Sequence, residues 1–393
     1  MGDRTRSLVW RLVSAQVCVH ACMTGFRMAA PLMALREGES AAAAGVLLAL
    51  FALTQVFLSL PAGRYVDRHG LHRPITVAVL IAVVGGAAAA VWPVYWVLCG
   101  TALTCGAASG LALIALQRQV GLLARDATEL RQVFSWLALG PSVSNFAGPF
   151  AAGVAIDLFG FRAAYGLLAC LPLLGWWVIQ RVQVPAVAPR PAADEVPSAW
   201  SLLLQVQFRR LLLVNWLLAS CWDVHTFLVP VIGHELSFSA TAIGTILGVF
   251  AIAATAVRLL IPAVASRLKE SVVVGGAMVC TAALLGVYPL VTSPWAMAAL
   301  SVMLGFVLGA VQPMIMSTLH QITPHDQHGQ ALALRAMAIN ASSVLMPVLF
   351  GTVGAAVGAA WVFWTVGGAV GLGARLAWVH LKPPANTAGM QGL

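Results

Sequence analysis

The chain has 393 residues, of which 60% are hydrophobic and only 9% are charged, and its formal net charge is +9. Because soluble domains carry roughly 25% charged residues, this composition excludes a soluble globular protein and indicates a polytopic membrane protein. The apolar segments are unbroken runs rich in Ala, Leu and Val, whereas a membrane β-barrel shows segments of about ten residues with alternating hydrophobicity. The sequence therefore predicts an all-α membrane protein.

Spanning the hydrocarbon core takes about 20 apolar residues per helix, so the chain has room for twelve transmembrane helices. We predict them at 12–35, 41–62, 74–95, 96–117, 133–156, 163–180, 211–232, 241–264, 272–292, 294–319, 331–354 and 359–381. The first run lacks a small-residue cleavage site and is expected to be an uncleaved helix rather than a signal peptide. All seven cysteines lie inside apolar runs without metal-ligand spacing, so we expect packing residues rather than a disulfide framework.

The distribution of basic residues accounts for the net charge without a nucleic-acid partner. If the N-terminus is cytoplasmic, nearly all Lys and Arg outside the spans fall on cytoplasmic segments, and only Arg36 and Arg162 fall on the outer side. This bias follows the positive-inside rule. It predicts a multi-pass protein of the bacterial cytoplasmic (inner) membrane with both termini in the cytoplasm.

The first predicted helix carries a polar stripe. Gln16, His20, Thr24 and Arg27 recur at helical spacing, so they share one face. A charged group such as Arg27 is costly at membrane depth and is a functional candidate by default. His20 can titrate near neutral pH, although a lone histidine in a membrane more often makes a structural hydrogen bond.

Residues 63–73 hold three arginines, two histidines, one aspartate and two glycines. Such a cluster cannot lie in hydrocarbon, which predicts a tight loop at the water interface. Its spacing, Gly63-x3-Asp67-Arg68-x-Gly70-x2-Arg73, closely resembles the signature loop between helices 2 and 3 of the major facilitator superfamily. The resemblance covers about residues 8–381. It implies two pseudo-symmetric six-helix bundles with a substrate site between them, working by alternating access.

The resemblance also implies a role for this loop as a conformational latch. Asp67 would sit at the start of the eleventh helix, where the helix dipole favours a carboxylate, and Arg335 would be a further partner. Arg68 and Arg73 would reach acids in the loop after the fourth helix, closing the cytoplasmic side in the outward-facing state. The candidate acids are Asp126 and Glu129. The alternative is a solvated loop whose arginines only set the topology.

The fifth predicted helix contains Gly148-Pro149 followed by Gly153. This segment is similar to the glycine-proline motif of the superfamily's proton antiporters, and the pattern is closest to the twelve-helix drug:proton antiporter type. Three positions that prefer glycine in that motif hold Ser135, Ser144 and Ala152. Small residues allow close helix approach and proline allows a bend, so the alternative is ordinary packing without a role in antiport.

Two related halves make up the predicted domain organisation. Residues 1–180 form an N-terminal six-helix bundle, 181–210 a proline-rich cytoplasmic linker, 211–382 a C-terminal six-helix bundle, and 383–393 a disordered tail. The second half repeats the first at an offset of about 199 residues. Pro31, Ser40 and Gly45 match Pro230, Ser239 and Gly244, and at an offset of 198 Pro149 and Gly153 match Pro347 and Gly351.

Asp223 is the acid that the sequence places deep inside a span, near the middle of the seventh helix. Further candidate cavity residues on this helix are Asn215, Trp222, His225 and Thr226. The repeat offset carries Gln16 to Asn215 and Thr24 to Asp223, so equivalent faces of the first and seventh helices are polar. The resemblance implies that these faces meet across the central cavity, with Arg27 and Asp223 on opposing walls.

We hypothesise that Asp223 is the proton-coupling carboxylate and that Arg27 pairs with it or competes for it. A nearby cation favours the ionised form of an acid, so movement of Arg27 would load and release a proton. Two alternatives remain: a fixed Arg27–Asp223 pair that joins the halves, or an Arg27 that binds an anionic substrate.

Other polar residues within the spans have weaker assignments. Arg258 shares a helix face with Gly244 and Gly248, which predicts a packing face and a structural or snorkelling arginine. The uncharged candidates for the cavity are Gln55, Gln117, Asn145, Gln312 and Asn340. Hydrogen bonding between helices is the alternative role for these amides.

The sequence contains no nucleotide-binding loop, nucleophile–base pair or metal cluster, so we expect a secondary transporter rather than an ATP-driven pump or an enzyme, and no cofactor. The first hypothesis is a monomeric antiporter in the lipid bilayer that couples protons to efflux of small amphipathic organic compounds. The second is a proton-linked importer or exchanger of a small organic anion, with Arg27 as carboxylate clamp. The third is a transport-inactive membrane sensor or scaffold.

Overall fold

A computed structural model describes residues 3–123, 133, 136–137, 139–182, 199–264, 270–323 and 327–380. The helices are α1 (Asp3–Arg36), α2 (Ala41–His69), α3 (His72–Val91), α4 (Tyr95–Leu123), α7 (Val206–Glu235), α8 (Ala240–Val264), α9 (Glu270–Val287), α10 (Pro294–Ile322), α11 (His328–Val357) and α12 (Ala359–His380). The stretch Leu139–Gln180 contains two further helices, α5 and α6, which meet at Gly160. Short 3-10 helices occupy Ala199–Leu204 and Tyr288–Leu290.

Eleven segments within the described residues are long and apolar enough to cross a membrane. One of them, Leu139–Gln180, holds both α5 and α6, because Gly160 has a φ of 81° and breaks the helix. Glycine adopts this left-handed backbone without the steric cost that a Cβ atom would add. The prediction of an all-α protein with twelve spans is therefore confirmed.

The segment 63–73 is mostly helical, so the prediction of a tight loop there is wrong. Helix α2 continues to His69 and α3 begins at His72. Gly70, with a φ of 70°, ends α2, and its N–H donates to the carbonyl of Val66. The end of a hydrophobic run shows where the chain leaves the hydrocarbon core. It does not show where the helix ends, because a helix can continue into water when its charged side chains are solvated.

The linker differs from its predicted bounds at its C-terminal end. Helix α7 begins at Val206, and Ala199–Leu204 forms a 3-10 helix whose Leu202 is buried. Residues 199–210 of the predicted linker are therefore ordered. The proline-rich part, 183–198, and the predicted tail, 383–393, lie outside the described residues.

The two bundles meet through glycines that the repeat relates to one another. A Cβ atom on Gly45 of α2 would overlap the carbonyl of Pro347 on α11, and a Cβ atom on Gly244 of α8 would overlap that of Pro149 on α5. Gly351 lies equally close to Ala41, and Gly153 to Ala240. An offset of 198 or 199 residues relates each of these contacts between α2 and α11 to a contact between α5 and α8. The internal repeat of the sequence thus corresponds to two equivalent interfaces, α2–α11 and α5–α8.

These close contacts lie in one half of the membrane-spanning region. We call the side that holds the start of α1 and the end of α12 the terminal face, and the opposite side the far face. The glycine contacts between the bundles lie in the far half. Two polar contacts across the bundles add to them: the Asp157 carboxylate accepts from the N–H of Ala240 (3.0 Å) and of Thr241 (2.7 Å). The bundles are therefore closed against each other at the far face.

Candidate functional site

A cavity of about 530 Å³ lies between the two bundles, and we call it the central cavity. Its walls come from α1, α4 and α5 of one bundle and from α7, α8, α10 and α11 of the other. The lining residues are Gln16, Arg27, Leu113, Gln117, Leu137, Pro141, Ser142, Asn145, Leu218, Ala219, Trp222, Asp223, Ala251, Thr255, Arg258, Leu308, Val311, Gln312, Ile339 and Ser343. Gln117 and Arg258 lie near the ends of α4 and α8 at the terminal face, so the cavity extends toward that face.

Arg27 and Asp223 face each other across the central cavity, one from each bundle. The Arg27 Nη2 and Asp223 Oδ1 atoms are 3.9 Å apart, with side chains 25% and 4% exposed. This separation is within ion-pair range but too long for a hydrogen bond. The Arg27 Nε is buried without a hydrogen-bond partner. The pair is therefore close but not locked together.

Two serines of α11 hold the Asp223 carboxylate. Ser342 Oγ donates to Oδ2 at 2.9 Å, and Ser343 Oγ donates to Oδ1 at 3.1 Å. Sequence reasoning missed both residues, because two hydroxyls in an apolar helix give no signal by themselves. The repeat could have found one of them, since an offset of 198 carries Ser144 of α5 to Ser342.

The equivalent contact exists in the N-terminal bundle without an acid. Thr24, the counterpart of Asp223, donates its hydroxyl to the Ser144 carbonyl at 2.8 Å. In both bundles the first helix of the repeat thus bonds to a serine on the fifth helix. Only the second copy makes this position ionisable.

Three other predicted residues border the cavities that Arg27 lines. Gln16 lines the central cavity, and its Oε1 atom is buried without a partner. Trp222 also lines the cavity and makes an edge contact with Phe250, with ring centroids 4.5 Å apart. Thr226 donates to the Trp222 carbonyl at 3.0 Å and borders a smaller cavity that Arg27 and Thr24 also line.

His20, Asn215 and His225 differ from the prediction, because they pack inside a bundle and do not line the central cavity. His20 Nδ1 lies 3.1 Å from the Ser109 hydroxyl on α4. His225 is buried, with Nε2 2.9 Å from the Ser301 hydroxyl. Residues four apart on a helix are rotated by about 40°. One polar stripe can therefore border the cavity at some positions and a neighbouring helix at others.

Arg258 lines the central cavity, and its predicted structural or snorkelling role stays a prediction. Its Cζ lies 5.8 Å from the centroid of the Trp222 ring. On the same helix Gly244 and Gly248 pack against α5, as predicted. The predicted packing face of α8 therefore becomes a cavity wall toward the terminal face.

The predicted amides divide between two cavities. Gln117, Asn145 and Gln312 line the central cavity. Gln55 and Asn340 line a separate, mostly apolar cavity of about 410 Å³ beside α2 and α4.

A model of the Major Facilitator Superfamily matches residues 12–287 and 211–389 of the chain. The chain belongs to the Major Facilitator Superfamily. As a member of this superfamily it is a multi-pass membrane transporter. The tetracycline resistance protein, class C, of Escherichia coli is 27% identical over 340 residues, which cover 83% of this chain and 84% of that protein.

Two solved structures share the superfamily fold with this chain at low sequence identity. A bacterial homologue of the lysosomal transporter Spinster, in an inward-facing and unoccupied conformation, has a TM-score of 0.73 at 11% identity, covering 97% of this chain and 94% of that one. A POT family transporter in complex with 5-aminolevulinic acid has a TM-score of 0.76 at 13% identity, covering 94% of each chain. These likenesses concern the fold alone.

The superfamily's signature segment makes a contact within the N-terminal bundle. Asp67, with 71% of its side chain exposed, accepts from Arg118 Nε of α4 at 2.8 Å. Arg68 and Arg73 are exposed, and their predicted partners Asp126 and Glu129 lie outside the described residues. Gly63 has open space where a Cβ would be.

Arg335 does not approach Asp67 but donates to Asn215 and Gln312 of its own bundle. The predicted contact between the signature segment and α11 is therefore not formed in this conformation. That prediction concerns the outward-facing state, and it stays a prediction.

The superfamily-like motif of α5 lies at two different interfaces. A Cβ on Gly148 would overlap Thr24 of α1, within the N-terminal bundle. Pro149 and Gly153 instead pack against Gly244 and Ala240 of α8, between the bundles. The motif therefore contacts α1, the helix that carries Arg27, and also α8 at the far-face interface between the bundles.

Proposed function

We propose that this transporter is an antiporter that couples proton entry to the export of small amphipathic organic compounds from the bacterial cytoplasm. The observation that carries the proposal is Asp223, an acid buried between the bundles and 3.9 Å from Arg27 of the opposite bundle. Intramembrane acids of this kind mark proton relays. The similarity to a tetracycline resistance protein supports export of organic compounds.

The orientation of the chain is supported by its charges. The basic residues of the described helix ends cluster at the terminal face, which the positive-inside rule assigns to the cytoplasm. With that orientation, the far-face contacts close the outer side, and the central cavity extends toward the cytoplasm. The conformation would then be inward-facing, the state from which an exporter loads its cargo.

Support for proton coupling comes from the location of the partners of Asp223 in the two bundles. Ser342 and Ser343 belong to its own bundle and move with it, whereas Arg27 belongs to the opposite bundle. Rocking of the bundles therefore changes the distance from Asp223 to Arg27 and leaves the serine contacts in place. Approach of the cation favours the ionised carboxylate, so the inward-facing state would release its proton to the cytoplasm.

The composition of the cavity supports an amphipathic cargo. Apolar side chains such as Leu218 and Trp222 line the cavity together with amide side chains such as Gln117 and Asn145, so its wall is amphipathic. We further propose that the unit of transport is the monomer, since the cavity lies within one chain.

The test is transport by the purified protein in liposomes, with tetracycline as the probe. Asp223→Asn is expected to lose accumulation driven by a pH gradient and to keep exchange of labelled for unlabelled probe. Glu37→Gln, which removes an exposed acid, is the matched control and should keep both activities. Gradient-driven accumulation by Asp223→Asn would refute proton coupling through this residue. Loss of exchange as well would favour a fixed Arg27–Asp223 pair needed for the fold.

A second candidate function is import or exchange of a small organic anion. It is favoured by Arg27 and Arg258, two cations that line the same cavity. Expression in a susceptible host separates the two functions, because an exporter raises drug tolerance whereas an importer permits growth on the anion as carbon source. Transport of either kind in liposomes would rule out a transport-inactive sensor or scaffold.

A further inference from the structure

Two arginines from different helices lie in or beside the central cavity. Arg258 of α8 lines the cavity. Arg335 of α11 donates to Gln312, another lining residue, so both guanidinium groups border the cavity. The ion pairs formed by the described residues are Arg27–Asp223 and Arg118–Asp67. Neither Arg258 nor Arg335 therefore has a carboxylate partner in the described part of the chain.

Arg335 is oriented by neutral acceptors. Its Nε donates to Asn215 Oδ1 at 3.2 Å, and its Nη2 donates to Gln312 Oε1. Amide oxygens fix the direction of a guanidinium group but do not neutralise its charge. Because a guanidinium group has five N–H donors, these two bonds leave donors for a further acceptor.

Arg258 has no such acceptor within the described parts of the chain. Its Nε is buried without a hydrogen-bond partner, and its guanidinium faces the Trp222 ring at 5.8 Å. Two like charges repel strongly where water is partly excluded. Leaving a buried donor unpaired is also costly. An anionic ligand would relieve both costs.

Asp223 cannot serve as that anion. Its two oxygens already accept from Ser342 and Ser343 and face Arg27. Among the described residues, one carboxylate and three guanidinium groups lie in or beside the cavity. The excess positive charge lies on the side of α8 and α11.

We propose that Arg258 and Arg335 form an anion-binding subsite, and that the transported compounds carry a carboxylate or sulfonate on an aromatic body. The anionic group would bind between the two guanidinium groups, which suit planar oxyanions through paired N–H donors. The aromatic body would lie against Trp222 and the leucines of the cavity. This leaves the Arg27–Asp223 pair free for proton coupling. The inference rests on the proposed function only in taking the central cavity as the substrate site.

The experiment measures binding of a matched pair of probes, 2-naphthoate and 2-naphthamide, to the full chain in phosphatidylcholine nanodiscs by calorimetry. The two probes share one ring system and differ in charge. Naphthoate is expected to bind at least about tenfold more tightly, as charge-assisted hydrogen bonds predict. Arg258→Gln and Arg335→Gln should each remove most of that preference and leave naphthamide binding unchanged. Arg162→Gln, an exposed change at the far face, is the charge-matched control.

Arg258→Gln is the primary variant, because Arg335→Gln also disturbs the bonds to Asn215 and Gln312. Arg258→Lys should retain part of the preference for naphthoate, since it keeps the charge. Naphthoate should raise the Tm of the natural protein more than that of Arg258→Gln. Equal affinity for the two probes, or an unchanged preference in Arg258→Gln, would overturn the subsite.

The same samples separate this inference from proton coupling. Asp223→Asn should keep the naphthoate preference while losing gradient-driven transport. An unchanged preference in Arg258→Gln together with loss of coupling in Asp223→Asn would refute the subsite alone. The reverse result would refute the coupling role of Asp223 and leave the anion subsite standing.

Discussion

At the scale of single residues, one position of the internal repeat distinguishes the two bundles. Thr24 and Asp223 are equivalent, and each bonds to the serine that the repeat places on the fifth helix of its bundle. The threonine hydroxyl donates to a backbone carbonyl, whereas the aspartate carboxylate accepts from a hydroxyl. A packing contact in one bundle is thus an ionisable centre in the other.

The bond from Ser342 to Asp223 predicts a stability effect. Ser342→Ala removes a hydrogen bond to a buried carboxylate, which is worth about 1.5–3 kcal/mol when the acceptor is charged. Unfolding in detergent at neutral pH should therefore show a loss of that size. Ser343→Ala should cost less, because Ser343 is only half-buried.

The matched control for this prediction is Ser14→Ala, which removes an exposed hydroxyl bonded to the Trp10 carbonyl. Its effect should stay within about 0.5 kcal/mol, as for most surface changes. Equal losses in Ser342→Ala and Ser14→Ala would show that the serine does not stabilise the carboxylate.

At the scale of helices, the glycine contacts determine how closely the bundles approach. Gly45 and Gly351 form the α2–α11 interface, and Gly153 and Gly244 form the equivalent α5–α8 interface. Every one of these contacts involves backbone of the opposite bundle. Backbone cannot move aside as a flexible side chain can, so each position requires the absence of a Cβ atom.

Gly153→Leu is expected to hold the far-face interface open. Overpacking of a close contact typically costs about 1–3 kcal/mol. Here it would destabilise the conformation in which the far face is closed. Transport in liposomes should fall severalfold, and the far-face end of α8 should become more accessible to water in hydrogen exchange. Gly166→Leu is the control, because a Cβ at Gly166 of α6 meets no atom within 4 Å. Similar behaviour of the two variants would contradict the interface.

At the scale of the whole molecule, the signature segment is the part of the chain whose contacts we expect to change between conformations. In the present conformation Asp67 pairs with Arg118 of its own bundle, and its side chain is 71% exposed. Exposed ion pairs contribute only about 0–1 kcal/mol. A contact of this kind does not require the full signature spacing, and the role of the segment as a latch in the other conformation stays a prediction.

Asp67→Asn is therefore expected to change stability by less than about 1 kcal/mol but to reduce transport strongly, because the predicted contact with α11 closes the cytoplasmic side. Arg118→Gln removes the other half of the observed pair and serves as the matched control. If the latch exists, Asp67→Asn should reduce transport more than Arg118→Gln. Equal reduction by the two variants would limit Asp67 to its contact with Arg118.

The sequence by itself determined the class of the protein, the number of spans, the internal repeat and the identity of the buried acid. These properties depend on local composition and on spacing along the chain. Each helix that crosses the hydrocarbon core must satisfy its own backbone hydrogen bonds and present apolar side chains. The tertiary structure alone decided which polar side chains meet. Ser342 bonds to Asp223, Arg258 enters the cavity, and His225 is enclosed within its bundle, since each outcome depends on helix rotation and on the distance between bundles. Helical periodicity predicts the rotation of a helix about its axis only to within tens of degrees, and no local sequence pattern predicts the distance between the bundles.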